Sequence, residues 1–223
     1  MIDTEALTLR GFTVIPGLIG PDECQSLAAL WPDETRFRSR VVMQRHGYGQ
    51  GEYQYFTYPL PEPVERLRQA LYPRLAEVAN HWNDQLGREK RFPPTLRDWL
   101  RQCHAGGQKR PTPLLLRYGP GDYNCLHRDL YGDLVFPLQA TILLSDPARD
   151  FTGGEFMLVE QRPRMQSRGE VVSLQQGDAV VFAVNERPVQ GTRGFHRTAM
   201  RHGVSSLREG DRFTLGIIFH DAA

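Results

Sequence analysis

The chain has 223 residues, 40% hydrophobic and 24% charged, with 27 Lys+Arg against 26 Asp+Glu. That composition argues against disorder, and a formal net charge of +1 gives no whole-protein field to attract nucleic acid or an anionic membrane. Met1 to Leu9 has no basic region followed by an apolar run, and no stretch nears the roughly 20 apolar residues that span a bilayer, so the expectation is a cytoplasmic protein.

In chain order, Phe12 to Ile15 reads as a short strand, followed by a Pro/Gly turn and a helix announced by Pro21-Asp22-Glu23, whose acids suit a helix N-terminus. Arg40 to Gln44 reads as a strand, and "GYGQGEYQYFTYPLP" as an aromatic-rich strand or loop. Val64, Leu67, Leu71, Leu75, Val78 and Trp82 have helical spacing; Pro73 should interrupt that helix and Gly87 should end it. A shorter helix is expected over Thr95 to Cys103. From Pro113 the period changes from 3.6 to 2, and six β-rich runs follow: "PLLLRYG", "FPLQATILLSD", "GEFMLVEQ", "GEVVSL", "DAVVFAV" and "RFTLGIIFHD". The pattern predicts one domain over 1–223. Its core, 113–221, should be a jelly roll, buttressed by the strands and helices of 1–112: a mainly β, α+β architecture.

The segment "NCLHRDLYGDL" contains His127-Arg128-Asp129. Seven histidines and thirteen aspartates predict roughly 0.4 His-x-Asp triplets by chance, so the triplet carries little alone. On a strand, His127 and Asp129 would point the same way, making two neighbouring metal ligands. His202, in "MRHGVSSLREGDRFTLGIIF", is the preferred third ligand, and His196 in "GFHRTAM" competes. His46, His81 and His104 read as ordinary surface or core histidines. Arg212 and Thr214 share one strand face, and an arginine there must reach water or bind an anion, because burying it unpaired costs several kcal/mol. Three cysteines without CxxC spacing argue against a disulfide framework or a structural zinc site; Cys125, on the face of His127, reads as a small buried thiol.

Taken together, "HRD", "GGEF", "GDAVVF" and "HGVSSLREGDR" resemble the Fe(II)/2-oxoglutarate-dependent dioxygenase superfamily, in its prolyl-hydroxylase-like and AlkB-like branches, over roughly Leu114 to His220. "TPLLLRYGPGDYNCLHRDLYG" and "FPLQA" further resemble a small bacterial family of nucleic-acid-modifying oxygenases. The resemblance implies a double-stranded β-helix and a 2-His-1-carboxylate facial triad of His127, Asp129 and His202 around Fe(II). It also implies Arg212 on the distal carboxylate of 2-oxoglutarate, where a guanidinium fork matches two oxygens, with Tyr118, Thr214 and Gln139 as further co-substrate contacts. The implied reaction consumes O2 and 2-oxoglutarate, yields succinate and CO2, and hydroxylates a C–H bond, or demethylates by way of that hydroxylation.

A protein side chain or small molecule is the expected substrate, with a nucleic-acid base as the alternative. AlkB-type repair enzymes carry another arginine about six residues beyond the co-substrate arginine; here Ile217-Ile218-Phe219 is apolar, which counts against direct base repair. Arg36, Arg38, Arg40, Arg45, the "QRPRMQSR" stretch, Arg193, Arg197 and Arg201 are candidates for a basic rim. The connection from Asn185 to Arg201 reads as a long loop, a lid or a substrate wall. A jelly-roll binding protein or a non-oxidative metal-dependent enzyme is the reading from another class.

Overall fold

The computed structural model describes residues 2–223. In chain order the elements are α1 (Thr4–Arg10), β1 (Phe12–Ile15), α2 (Pro21–Ala28), β2 (Phe37–Val42), β3 (Gly49–Gln50), β4 (Glu52–Phe56), α3 (Glu62–Gln85), α4 (Leu96–Ala105), β5 (Leu114–Tyr118), β6 (Tyr123–His127), β7 (Leu138–Leu143), β8 (Phe151–Gly153), β9 (Phe156–Gln161), β10 (Arg168–Val172), β11 (Ala179–Ala183), β12 (Glu186–Gly191), β13 (Gly194–Val204), β14 (Leu207–Gly210) and β15 (Arg212–Ile218).

Two antiparallel sheets face each other. The larger runs β1-β11-β7-β15-β5-β4-β2, and the smaller runs β10-β9-β13-β6-β3 with β12 beside β13; β8 and β14 form a separate pair. The central strands of the larger sheet, β7, β11 and β15, are buried almost throughout. They are covered on both faces, so their sequences are near-continuous apolar runs rather than alternations. Helices α2 and α3 pack against β15, and Tyr72 of α3 packs on Phe136 and Phe219. The other face of the sheet meets the smaller sheet, and the space between them holds the site. This is the jelly-roll core with a helical buttress that the sequence implied, and the N-terminal strands β1, β2 and β4 belong to the same large sheet.

Several expectations need correction. Helix α3 continues through Pro73: the proline lies on the exposed face, where the carbonyl of Gln69 that loses its partner can be solvated. The strand expected at Arg40 to Gln44 lies earlier, at Phe37–Val42, and the chain then makes a short 3-10 turn over Met43–His46. Helix α1 went unread because its seven residues are too few for a periodic apolar signal; Asp3 caps it through Ala6 N, and Gly11, in the left-handed region at φ 79°, ends it. The connection before His202 is a hairpin, with β12 and β13 in register from Glu186↔Ala199 to Gly191↔Gly194. Its arginines obscured the alternation that marks β13. Thr198, Met200 and His202 point inward, while Arg197 and Arg201 point to solvent.

Candidate active site

His127 is the last residue of β6 and His202 lies directly across from it on β13. Asp129 lies beyond the end of β6, in the segment leading to β7. The strand alternation invoked for His127 and Asp129 therefore does not apply; the carboxylate reaches both rings from the connecting segment. The ligand atoms of His127, Asp129 and His202 lie within 4.8 Å of one another, the only such group among the described residues. His127 Nε2 is 3.4 Å from Asp129 Oδ1, His202 Nε2 is 3.3 Å from Asp129 Oδ2, and the two ring centroids are 4.2 Å apart. His196 is on the same strand but six residues away, opposite Val189, so the structure brings His202 and not His196 to the aspartate. His104 instead bonds Asp221 at 2.8 Å.

Two features suit this group to a divalent metal. The carbonyl oxygen of Cys125, 2.7 Å from His127 Nδ1, can only accept, which fixes the proton on Nδ1 and leaves the Nε2 lone pair facing the cluster. Burial pushes the Asp129 carboxyl up, but hydrogen bonds and charge from His127 and His202 outweigh it and hold the group well below the usual carboxylate range. Burial lowers the His202 imidazole overall, with its hydrogen bond to Asp129 opposing that shift and the charge of His127 adding to it. Burial also opposes charge on His127, but its hydrogen bond to Asp129 raises it overall.

The second half of the site is Arg212, the first residue of β15, paired in register with Tyr118 at the end of β5. It is 2% exposed, yet its Nε and Nη1 have no hydrogen-bond partner. Burial pushes the guanidinium down to about 10, with Tyr118 and Glu155 offsetting only part of that cost. Tyr118 is buried beside it; burial raises its hydroxyl to about 12 despite the charge of Arg212, and Asn124 Nδ2 donates to it at 3.3 Å. Thr214 lies on the same face of β15 and lines the same cavity of about 360 Å³ as the three ligand candidates. Gln139 also lines this cavity, and its Nε2 donates to Asp129 Oδ2 at 2.9 Å.

All seven residues singled out in the sequence therefore line one space. One contact went unnoticed: the Tyr131 hydroxyl donates to Asp129 Oδ1 at 2.8 Å. Its only signal was position, two residues past the aspartate. Tyr48 and Leu130, at 50% and 48% exposure, stand at the cavity mouth with Arg128. The expected basic rim is thinner than its arginine count suggests. Arg36, Arg40, Arg162 and Arg168 are in ion pairs with Asp33, Glu52, Glu160 and Glu170. Arg38 donates to the Pro111 carbonyl. Cys125 is exposed rather than buried and is not among the residues lining the cavity.

Residues 51–222 match the model of the Oxygenase-NA family, described as an oxygenase catalysing oxidative methylation of damaged DNA. An uncharacterized protein of Mycobacterium tuberculosis is 56% identical over 168 residues, covering 75% of this chain and 72% of that one. Among solved structures, a Pseudomonas putida prolyl-4-hydroxylase superposes with a TM-score of 0.55 at 16% identity, covering 96% of this chain and 94% of its own. A 2OG-Fe(II) oxygenase family oxidoreductase from Burkholderia pseudomallei has a TM-score of 0.55 at 17% identity, covering 99% and 91%. At these identities the two structures establish the shared fold. No helix among the described residues is long and apolar enough to cross a membrane.

Proposed function

The chain belongs to the Oxygenase-NA family, within the Fe(II)/2-oxoglutarate dioxygenase superfamily, and from that premise we propose that the cavity between its sheets is the catalytic site. In this reading His127, Asp129 and His202 hold Fe(II) and Arg212 anchors the distal carboxylate of 2-oxoglutarate. The observation that carries it is the pairing of three ligand atoms within 4.8 Å with a buried, unpartnered guanidinium in one cavity. A structural metal site has no use for the second feature, since an unpaired buried charge costs several kcal/mol unless a ligand completes it.

Bound together, Fe(II), 2-oxoglutarate and O2 supply the oxidising power for hydroxylating a C–H bond, with succinate and CO2 as co-products. The chain's own work is positional. Arg212 offers two donors in a fixed fork to a carboxylate. Tyr118 accepts from Asn124, so its own proton is free for the same carboxylate, and Thr214 adds a hydroxyl from the same strand face. Phe156 and Phe182 pack on His202, at 6.1 and 4.7 Å between centroids, and keep that side of the site dry.

For substrate, we take the family description as the guide and propose an alkyl group on a base of damaged DNA. A site of this kind oxidises an alkyl carbon, so its product is a hydroxylated or dealkylated base. At the mouth, Tyr48 stacks on His46, 5.3 Å apart and 21° from parallel, leaving an exposed aromatic face, and Arg128 supplies a cation. A protein side chain or small molecule is the second reading. The ion-paired arginines and exposed Leu126 and Leu130 favour it.

The test is succinate release from 2-oxoglutarate by the Fe(II)-loaded protein, with N-methylated single-stranded oligonucleotides compared against peptide and metabolite pools. Substrate-stimulated succinate from the oligonucleotide, weakening steeply with salt and absent in Asp129→Ala and Arg212→Met, is the expected result. Stimulation by peptides or metabolites alone would move the substrate to the second reading. No succinate with any addition, in protein that binds Fe(II), would remove the oxygenase assignment of this cavity.

A further inference from the structure

Asp129 differs from the two histidines in what holds it. His127 and His202 sit on paired strands, whereas Asp129 stands on a connecting segment with no sheet ladder. A metal ligand on such a segment needs other groups to fix its direction.

Each oxygen of this carboxylate has a donor. Tyr131 donates its hydroxyl to Oδ1 at 2.8 Å, and Gln139 Nε2 donates to Oδ2 at 2.9 Å. A carboxylate oxygen has about two lone-pair directions, so each retains one for a metal while the two donors together fix the plane and direction of the group.

Tyr131 is itself built in. Its ring meets Tyr55 edge-on at 6.1 Å and lies 6.2 Å from His220. The backbone around it is clamped by one side-chain amide, that of the buried Gln108. Its Nε2 lies 3.1 Å from the carbonyls of both Tyr131 and Leu134 and 2.6 Å from that of Asp221, while its Oε1 accepts from Leu134 N at 2.7 Å. Gly132 permits the close approach: its φ is +93°, and a Cβ there would stand 2.6 Å from Gln108 Oε1.

Resting on the metal-site reading above, we propose that Tyr131 is a positioning residue for the metal's carboxylate ligand, and that Gln108, through the 131–134 segment, aims it. Sequence gave no hint of Gln108, which is 21 residues before Asp129 and follows α4.

The experiment uses Co(II), whose visible d–d bands report ligand number and geometry, titrated anaerobically into the metal-free full chain. Wild type is compared with Tyr131→Phe, Gln108→Met and the double variant, each checked for native near-UV circular dichroism. Tyr131→Phe should weaken Co(II) binding about 10- to 100-fold, the usual cost of losing a group that orients a ligand, and change the band intensities. Gln108→Met should weaken it less, and should add little in the Tyr131→Phe background, since it acts through the same hydroxyl. A Tyr131→Phe affinity within about twofold of wild type, with unchanged bands, overturns the proposal. Full additivity in the double variant overturns the role of Gln108. Failure of wild type to bind Co(II) is a different result, and sinks the metal-site reading itself.

Discussion

Arg68 and Arg212 are both buried, at 0% and 2% exposure, and their surroundings are opposite. Arg68, on α3, donates to Asp221 Oδ1 at 2.9 Å, to the Ile218 carbonyl at 2.8 Å and to the Tyr58 hydroxyl at 3.1 Å. Burial opposes its charge, but Asp221 and Tyr58 outweigh that and its ionised form is favoured. Arg212 has no acceptor on Nε or Nη1, and burial lowers it to about 10. One arginine ties the C-terminal strand to a helix; the other faces the cavity with donors to spare. The same residue type at the same depth is thus fully partnered in one place and left with unpaired donors in the other, and the hydrogen-bond count is what separates a structural arginine from a candidate anion anchor.

The contrast breaks first at Arg68. Arg68→Met leaves the fully buried Asp221 carboxylate with only Tyr58 and His104, and should cost about 3–5 kcal/mol in urea unfolding, the range for removing one partner of a buried pair. The next effect belongs to the adjacent His220, whose Nδ1 accepts from Phe136 N at 3.2 Å, as only the unprotonated nitrogen can. Burial, reinforced by the charge of Arg68, lowers His220 to about 4 from 6.5. Because the unfolded chain takes up this proton first, stability from His220 is complete above pH 6.5 and is lost as pH falls toward about 4, by about 3 kcal/mol in total. His220→Asn should flatten that part of the stability–pH curve; an unchanged slope would mean the ring is not held neutral. The smallest effect on stability should come from Arg212→Met. Replacing an unpaired buried charge with an apolar chain of similar length should cost nothing and gain up to about 1 kcal/mol, while weakening 2-oxoglutarate binding by about 30-fold or more in equilibrium titration. A large loss of stability on this substitution would put Arg212 in the same structural class as Arg68.

Much of this site could be read from residue types alone. His127, Asp129, His202 and Arg212 are few, chemically distinct and set in an ordered series of β-rich runs, so the sequence pointed to them even where its geometric reason, a shared strand face for His127 and Asp129, was wrong. The supporting groups were less visible. Tyr131 is one of eight tyrosines and Gln108 lies outside the recognisable strands, and nothing local marks a hydroxyl or an amide that will meet a distant carboxylate. Pro73 and the 186–204 hairpin failed for local reasons. The cost of a helical proline depends on whether the freed carbonyl reaches water, and arginines on the solvent face of β13 masked its alternation.

By itself, then, the sequence determined the change of period near residue 113, the all-antiparallel β core and the chemical types of the metal-ligand and anion-anchor candidates, because apolar periodicity and side-chain chemistry are local properties. Which histidine faces Asp129, which buried arginine lacks a partner, and what orients the carboxylate were decided only by the tertiary structure. Each depends on contacts between residues dozens of positions apart, such as Gln108 with Leu134 and Asp221, which exist only once the sheets and the C-terminal segment have packed together.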